Sequence, residues 1–308
     1  MKIVIVGPGA MGCLLTHYLS KSKEEIWLLD KRSERSEKIN QSGIIIESAS
    51  GNWQIKPKIT SDIKHIGKAD LIIICVKSYD TKEAIMLAKG LIGENTSVLT
   101  LQNGIGNIEI ISEVIGQDRV IGGVTNEIGI DTGSIRHAGR GETVIGRIDG
   151  KIPVELRSIR EIFNKACLEA RISRDIKGLL WSKLIINVGI NALTLITRLK
   201  NGKLLEFEGT RKILREAVTE ATKIAKRKRI KLAYDDPLAK VEAVCEATAD
   251  NISSMLQDAL RKKRTEIDFI NGVIVRQGQE LGIPVSANQM LVDLVKTIEA
   301  SYDMVVSK

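Results

Sequence analysis

Short apolar runs alternate with segments of helical periodicity through the first half of the chain. Four runs are aliphatic and nearly continuous, as in strands that are buried on both faces: 3–6, 26–29, 71–76 and 98–101. Helical segments are predicted near residues 10–21, 81–89 and 107–115. Alternation of this kind is typical of βαβ units and therefore predicts a parallel sheet.

Two glycine-punctuated regions of the first half predict antiparallel strands. Segments 43–48 and 53–58, joined by Ser50-Gly51-Asn52, have the pattern of an inserted hairpin. Segments 122–130, 134–137 and 143–148 are also predicted to be short antiparallel strands.

The second half is almost entirely helical in pattern. Helices are predicted at 177–197, 205–230, 237–249, 255–281 and 286–300, with breaks at Pro237, Pro284 and the Asn201-Gly202 turn. The change of pattern predicts an α/β Rossmann-type domain over residues 1–174 and an all-helical domain over residues 175–308.

Composition narrows the class of protein. The 308 residues carry 46 Lys+Arg against 38 Asp+Glu, a formal charge of +8, which favours anionic ligands. Only 3% of residues are aromatic, which disfavours base-stacking RNA readers, and the basic runs 226–229 and 261–264 are interpreted as solvated helix faces. We therefore expect no nucleic-acid partner.

The cysteine spacing and the apolar segments indicate a cytoplasmic location. Four cysteines lie far apart without a C-x-x-C pair, and no signal peptide is expected at the amino terminus. The apolar stretch 178–196 contains Lys183, Asn187 and Asn191, and polar groups of this kind are costly in lipid. We interpret it as a buried helix rather than a membrane span, and we expect no metal site.

A glycine-rich loop directly follows the first predicted strand. Gly7-Pro8-Gly9-Ala10-Met11-Gly12 is a G-x-G-x-x-G sequence that opens a helix. The first glycine permits the tight turn, the second admits a pyrophosphate, and the third allows close packing of helix and strand. The helix N-terminus adds free N–H groups and a positive dipole. This context predicts a dinucleotide site.

The residues after the second strand leave the choice of coenzyme open. Asp30 lies 18 positions after Gly12, where a carboxylate bonds the ribose hydroxyls of NAD. Lys31 and Arg32 follow at once and have the charge to hold the 2′-phosphate of NADP, although a solvated loop also explains them.

Two polar residues follow other strands of the predicted sheet. Lys77 comes after the run 71–76, and Asn103 comes after 98–101 and precedes Gly104. Ligands collect beyond the carboxyl ends of strands in open α/β sheets, so both are candidate ligand contacts. A solvated loop lysine and an Asn-Gly turn are the structural alternatives.

The predicted helix 177–197 carries one polar stripe. Lys183, Asn187 and Asn191 recur every four residues, so their side chains lie about 40° apart around the helix. A lysine on a largely apolar helix needs a partner, a ligand or a wet cleft. Lysine can protonate a new alkoxide, and amides can orient a carbonyl, so the stripe predicts a catalytic face.

The carboxyl-terminal segment is less decisive by itself. Ser254 with Gln257 fits a helix capping box, which is a sufficient structural explanation. Ser254 and Glu266 would lie about 120° apart on one straight helix. They can share a site only if the chain bends between them.

Taken together, the motifs resemble the ketopantoate reductase (2-dehydropantoate 2-reductase) family over nearly the whole chain. The resemblance rests on GPGAMG, CVKSYD, LQNG, the helix WSKLIINVGINALT with a later NG, and SSMLQD followed by TEIDFINGVIV. It implies NADPH-dependent reduction of ketopantoate to (R)-pantoate, a step toward coenzyme A. NADH is the alternative coenzyme, since Asp30 is not a clear NADP selector.

The resemblance also implies roles for individual residues. Lys183 matches the general acid, and Ser254 matches the serine that binds the substrate carboxylate. The remaining substrate contacts are Asn103, Asn187, Asn191 and Asn201. The implied coenzyme contacts are the glycine loop from Gly7 to Gly12, Lys77, Ile128 and Glu266. Lys31 and Asn103 are further candidate coenzyme contacts, because they directly follow strands of the predicted sheet.

Three alternatives stay open at this level. One is a reductase of another small 2-keto acid, and a second is a 3-hydroxyisobutyrate dehydrogenase-like enzyme. A third is a non-catalytic NADP-sensing protein, which the lysine–asparagine stripe disfavours. An apolar face on the helical domain also suggests a homodimer.

Overall fold

The computed structural model describes residues 1–48, 51–125, 135–137 and 141–304, with only the backbone at 48 and at 135–137. The chain divides into two compact units. The first comprises Met1–Gln102 and Gly106–Ile176, and the second comprises Asn103–Ile105 and Lys177–Lys308. A mainly parallel sheet with helices forms the first unit and helices form the second, so the predicted fold class is confirmed.

The described strands all belong to the first unit. They are β1 (Lys2–Val6), β2 (Glu25–Leu29), β3 (Ile44–Ser48), β4 (Gly51–Ile55), β5 (Lys58–Thr60), β6 (Ala69–Ile74), β7 (Ile92–Thr100), β8 (Val120–Thr125), β9 (Ile135–His137), β10 (Thr143–Gly146) and β11 (Ala170–Ile172). Eight of them form one sheet in the order β11-β10-β8-β7-β6-β1-β2-β5. Its strands are parallel from β5 through to β8, β10 is antiparallel to β8, and β11 is parallel to β10.

The strand register aligns the carboxyl ends of the central strands. Val6 lies opposite both Leu29 and Ile74, and Ile74 lies opposite Thr100. The aliphatic side chains of these strands are almost completely buried, which explains their continuous apolar runs. The residues that follow β1, β2, β6 and β7 therefore meet at one edge of the sheet.

The described helices of the α/β unit are α1 (Ala10–Leu19), α2 (Ser33–Ser42), α3 (Thr81–Leu87), α4 (Asn107–Ile115) and α5 (Val154–Lys165). The sequence analysis missed α2 and α5. Helix α2 is polar and buries only Ser36, so it offers no apolar periodicity. Helix α5 buries Leu156, Ile159, Ile162 and Phe163, a helical spacing that was present in the sequence.

The predicted hairpin is confirmed as the antiparallel pair of β3 and β4. The prediction of antiparallel strands in the later region is partly wrong. Strands β8 and β10 are antiparallel, but β9 pairs in parallel with β3 and completes a separate three-stranded sheet. Sequence neighbours therefore enter different sheets, a long-range choice that turn residues do not encode.

The described helices of the second unit are α6 (Ile176–Thr197), which enters the unit at Lys177, α7 (Glu208–Arg227), α8 (Pro237–Ala247), α9 (Ser254–Leu260), α10 (Asn271–Leu281) and α11 (Ser286–Ala300). Helix α6 supplies much of the buried core, including Leu184, Ile185 and Val188. It is long and apolar enough to cross a membrane by length and composition, and 67% of its most apolar window is buried in the structure.

The single helix predicted over 255–281 is wrong. Helix α9 ends at Leu260, Lys262 adopts a left-handed conformation with φ +51°, and a 3₁₀ turn at Ile267–Phe269 precedes α10. The basic run 261–264 has no apolar side chain to bury, so packing does not hold it in a helix. Ser254 and Glu266 consequently lie on separate elements.

Candidate active site

The glycine loop connects β1 to α1 and leaves room above the helix N-terminus. Gly7 has φ +103°, and a Cβ there would lie 2.6 Å from Val76 Cγ1. A Cβ on Gly12 would lie 2.0 Å from the Gly7 carbonyl oxygen. Gly9 is exposed, and a Cβ there would lie at an ordinary contact distance of 3.8 Å from the Cys75 carbonyl oxygen.

These three environments fit a dinucleotide. Gly7 and Gly12 are required by backbone geometry and packing, whereas at Gly9 the missing side chain leaves open space. That space adjoins the first turn of α1, a ten-residue helix whose N-terminal N–H groups suit a pyrophosphate. Pro8, Ala10 and Met11 are half-buried around the same turn.

The two candidates after β2 differ in their surroundings. The carboxylate of Asp30 is 1% exposed and ion-paired with Arg35. Lys31 is exposed and contacts Glu83 at 2.7 Å and Asp80 at 3.6 Å. Glu83 raises the pKa of Lys31 above its usual value. Lys31 thus carries a positive charge beside two carboxylates at the surface.

A buried polar network that the sequence analysis missed anchors the segment containing Lys77. Gln102 donates from Nε2 to the Val76 carbonyl oxygen and to Thr81 Oγ1, both at 2.8 Å. Thr81 Oγ1 also donates to Asn107 Oδ1 at 2.8 Å, and Asn107 Nδ2 donates to Ser78 Oγ at 3.2 Å.

This network holds the residues on both sides of Lys77, which is half-buried at the start of a 3₁₀ turn. It therefore fixes the Lys77 backbone at the sheet edge that carries the glycine loop. The sequence feature that could have revealed this network is a pair of polar residues, Thr100 and Gln102, at the end of an apolar strand. Their side chains also bond each other at 2.9 Å.

Lys183, in the helical unit, has a pKa well below that of an ordinary lysine. It lies on α6 and is half-buried among apolar neighbours. Desolvation lowers the pKa of Lys183 to about 8, and the negative charge of Glu266 opposes that shift. Glu266 is itself only 5% exposed and immediately precedes the 3₁₀ turn before α10. The structure thus brings Lys183 and Glu266 into electrostatic contact.

Asn187 and Asn191 continue the polar stripe on α6, with Asn187 half-buried and Asn191 buried. Near the end of the stripe, Thr194 Oγ1 and Ser253 Oγ form a buried hydrogen bond of 2.6 Å. This bond places the start of α9, where Ser254 is exposed, against the same helix.

The capping box predicted for Ser254 is wrong by one residue. Ser253 is the N-cap, and its hydroxyl accepts the Leu256 N–H at 3.1 Å. Gln257 donates from Nε2 to the Ile252 carbonyl oxygen rather than bonding back to the cap. Ser254 therefore has no capping role.

Asn201 is brought back toward this segment because α6 ends at Thr197 and Arg198 has φ +57°. Its backbone N–H donates to the Asn251 carbonyl oxygen at 3.1 Å, and its Nδ2 donates to Thr248 Oγ1 at 2.9 Å. Its Oδ1 is buried without a hydrogen-bond partner in the described structure. Asn201 therefore retains a free acceptor beside the segment that leads to Ser254.

Asn103 belongs to the helical unit although the strand before it does not. The Ile105 N–H donates to the Phe269 carbonyl oxygen at 3.1 Å. A Cβ on Gly104, which has φ +82°, would lie 2.4 Å from the same oxygen. The loop 103–105 thus packs on the 3₁₀ turn that follows Glu266.

The candidates accordingly fall into two groups. The helical unit contains Asn103, Lys183, Asn187, Asn191, Asn201, Ser254 and Glu266. Within it, Glu266 acts electrostatically on Lys183, and the start of α9 is bonded to α6. The α/β unit holds the glycine loop, Lys31 and Lys77. Ile128 lies outside the described residues.

Comparison with known proteins identifies the same two parts. Residues 3–150 match the family model "Ketopantoate reductase PanE/ApbA", and residues 175–299 match "Ketopantoate reductase PanE/ApbA C terminal". The chain is 38% identical to a 2-dehydropantoate 2-reductase of Pyrococcus horikoshii, with 97% of this chain and 98% of the relative covered. It is 33% identical to the 2-dehydropantoate 2-reductase of Halobacterium salinarum, covering 96% and 98% respectively.

Solved structures agree in fold. A PanE/ApbA family ketopantoate reductase from Ralstonia eutropha superposes with a TM-score of 0.89 at 34% identity, covering 98% of this chain and 100% of that one. D-mandelate dehydrogenase with NADH and anilino(oxo)acetate superposes with a TM-score of 0.90 at 26% identity, covering 98% and 99%. The matches to both family models and to full-length relatives show that this chain belongs to the ketopantoate reductase family.

Proposed function

We propose that the chain is a 2-dehydropantoate 2-reductase that reduces ketopantoate to (R)-pantoate with NADPH. The observation that carries the proposal is Lys183, a half-buried lysine with a pKa near 8 on a helix face shared with two asparagines. Family membership makes the chain an oxidoreductase, and this side chain supplies the acid that a carbonyl reduction requires.

We propose that residues 1–174 hold the coenzyme and residues 175–308 hold the substrate. The glycine loop from Gly7 to Gly12 would hold the pyrophosphate, with Lys31 and Lys77 as further contacts. Glu266 and Asn103 would contact the coenzyme from the helical unit, and Ile128 is retained as a proposed backbone contact. When bound, the nicotinamide supplies the hydride for the keto carbon.

The residues of this chain would manage the charge that develops on the substrate oxygen. Lys183 donates a hydrogen bond to the carbonyl oxygen and then transfers a proton from Nζ to it. A pKa near 8 keeps Lys183 largely protonated at neutral pH yet makes it a stronger acid than an ordinary lysine. Desolvation by the apolar α6 environment is therefore part of how Lys183 works.

Polar groups around Lys183 would orient the substrate. We assign the substrate carboxylate to the exposed Ser254 hydroxyl, and the carbonyl region to the amides of Asn103, Asn187 and Asn191. The buried, unbonded Oδ1 of Asn201 can accept a hydrogen bond from the 4-hydroxyl of ketopantoate. A buried acceptor without a partner is costly, so a hydroxyl-bearing substrate would relieve that cost.

A second candidate is a reductase of another 2-keto acid. The likeness to D-mandelate dehydrogenase favours it, because that enzyme has the same fold at a TM-score of 0.90 but is named for mandelate, an aromatic hydroxy acid. Phenylglyoxylate, the keto acid related to mandelate, is therefore the appropriate competitor in an assay.

The test follows coenzyme oxidation by absorbance with ketopantoate, phenylglyoxylate and 2-oxoisovalerate. We expect ketopantoate to give the highest kcat/KM, whereas a preference for phenylglyoxylate would support the second candidate. Lys183→Ala should lower kcat by about 100-fold or more while leaving coenzyme affinity within a few-fold. Lys177→Ala, an exposed lysine on the same helix, is the matched control.

We further propose a cytoplasmic homodimer. Cys13, Cys75, Cys167 and Cys245 are free thiols, as expected in a reducing compartment. Met290 and Leu294 are 59% and 43% exposed one turn apart on α11, which offers an apolar contact surface. Light scattering of the purified chain measures the oligomeric state, and a monomer at micromolar concentration would contradict this part.

A further inference from the structure

Asp30 occupies the position that selects for NAD, yet its carboxylate is engaged within the protein. Arg35 binds it in a bidentate manner, through Nε to Oδ2 and through a terminal nitrogen to Oδ1 at 2.5 Å. The Arg32 N–H also donates to Oδ1 at 3.2 Å. Both carboxylate oxygens therefore have partners on α2 or at its start.

We propose that Arg35 sets the coenzyme preference toward NADPH by engaging the carboxylate of Asp30. Without Arg35, that carboxylate would accept a hydrogen bond from a ribose 2′-hydroxyl and repel a 2′-phosphate. The inference rests on the proposed NADPH-dependent reaction, and it names the residue that decides which dinucleotide the same site accepts.

The position of Asp30 makes its charge matter. The Gly7 N–H donates to the Leu29 carbonyl oxygen at 2.9 Å, so the glycine loop is tied to the residue directly before Asp30. The Asp30 N–H donates to the Thr60 carbonyl oxygen at 3.1 Å. Since both bonds belong to the backbone, removal of Arg35 leaves Asp30 at the same place beside the loop.

Burial strengthens the electrostatic effect of the Asp30 carboxylate on nearby charges. The Asp30 side chain is 1% exposed, whereas Arg35 is 40% exposed. Water screens a buried charge poorly, so a carboxylate deprived of its guanidinium acts strongly on nearby charges. Arg35 can neutralise Asp30 while part of its side chain stays exposed to solvent.

The neighbouring cations do not replace Arg35 in this role. Lys31 pairs with Glu83 and Asp80. Arg32 reaches Asp30 through its backbone N–H, and its side chain is exposed. Among the described residues, Arg35 is the side chain that forms an ion pair with Asp30.

The test measures dissociation constants of NADP⁺ and NAD⁺ by isothermal titration calorimetry, without substrate. For Arg35→Gln we expect the preference for NADP⁺ over NAD⁺ to fall by at least about tenfold, because a like charge now faces the 2′-phosphate. In the double variant Asp30→Asn with Arg35→Gln, the repelling charge is absent, so most of the NADP⁺ affinity should return.

The double variant separates neutralisation of Asp30 from direct contact with the coenzyme. If it binds NADP⁺ as weakly as Arg35→Gln does, Arg35 acts by touching the phosphate and the proposal is wrong. An unchanged coenzyme preference in Arg35→Gln would also overturn it. Lys38→Gln, which removes one exposed positive charge from the same helix, is the matched control and should leave the preference unchanged.

Two further measurements keep the outcomes distinct. Arg35→Gln leaves the buried Asp30 carboxylate without its ion-pair partner, so the thermal unfolding of this variant is recorded. The double variant carries a neutral pair at these positions. If Arg35→Gln unfolds, the double variant still tests whether NADP⁺ binds once the Asp30 charge is removed. If the wild-type chain binds NAD⁺ more tightly than NADP⁺, the inference is wrong. Lack of ketopantoate turnover would contradict the proposed substrate but would leave the binding comparison intact.

Discussion

The acidity of Lys183 gives a direct kinetic prediction. Desolvation lowers its pKa from 10.5 to about 8, a difference of about 3 kcal/mol between the two protonation states. A general acid must be protonated to react, so kcat/KM for ketopantoate should fall as pH rises through this value. The protonated fraction of a group with pKa 8 is about 0.9 at pH 7 and about 0.1 at pH 9.

The assay is the oxidation of saturating NADPH at low ketopantoate concentration, between pH 6 and 10. We expect kcat/KM at pH 9 to be about one tenth of its value at pH 7. A lysine of ordinary pKa would change by only about 3% over the same interval. A profile that stays flat to pH 9 would therefore refute the assignment of Lys183 as a desolvated general acid.

Glu266 allows the same reasoning to be tested by substitution. Its negative charge raises the pKa of Lys183 against desolvation, so Glu266→Gln should move the alkaline limb to lower pH. Saturating coenzyme separates this effect from any loss of coenzyme affinity. Glu280→Gln removes an exposed carboxylate of the same unit and should leave the limb in place.

Three further substitutions test the supporting structure by urea unfolding and coenzyme titration. Gly12→Ala would put a Cβ 2.0 Å from the Gly7 carbonyl oxygen, so we expect a loss of about 1–3 kcal/mol and weaker coenzyme binding. Gly209→Ala is the control, because apart from its own helix backbone and chain neighbours no atom lies within 4 Å of the new Cβ, and it should stay within about 0.5 kcal/mol of wild type. Ser253→Ala removes the α9 N-cap and should cost about 1 kcal/mol. Asn271→Ala removes a fully buried amide that bonds an α6 carbonyl at 3.2 Å, for which about 1–3 kcal/mol is expected. Unchanged unfolding midpoints in Gly12→Ala, Ser253→Ala and Asn271→Ala would contradict the stated contacts.

Local sequence patterns predicted much of the fold. The glycine loop and the buried strands were recognisable because close backbone approach demands glycine and two-sided burial demands continuous apolar runs. Helix α2 was missed because a polar surface helix has no apolar stripe. The break between α9 and α10 was missed because the basic run 261–264 consists of helix formers and contains neither Pro nor Gly, and only packing decides that the chain turns there.

Residue identity and local spacing were enough to establish which chemical groups this protein presents and how those on one element are arranged. The Lys183–Asn187–Asn191 stripe is such a case, since helical periodicity alone puts these side chains on one face. The action of Glu266 on Lys183 and the engagement of Asp30 by Arg35 became visible only in the folded chain. Burial and ion pairing depend on which elements pack together, and those contacts join residues that local spacing does not relate.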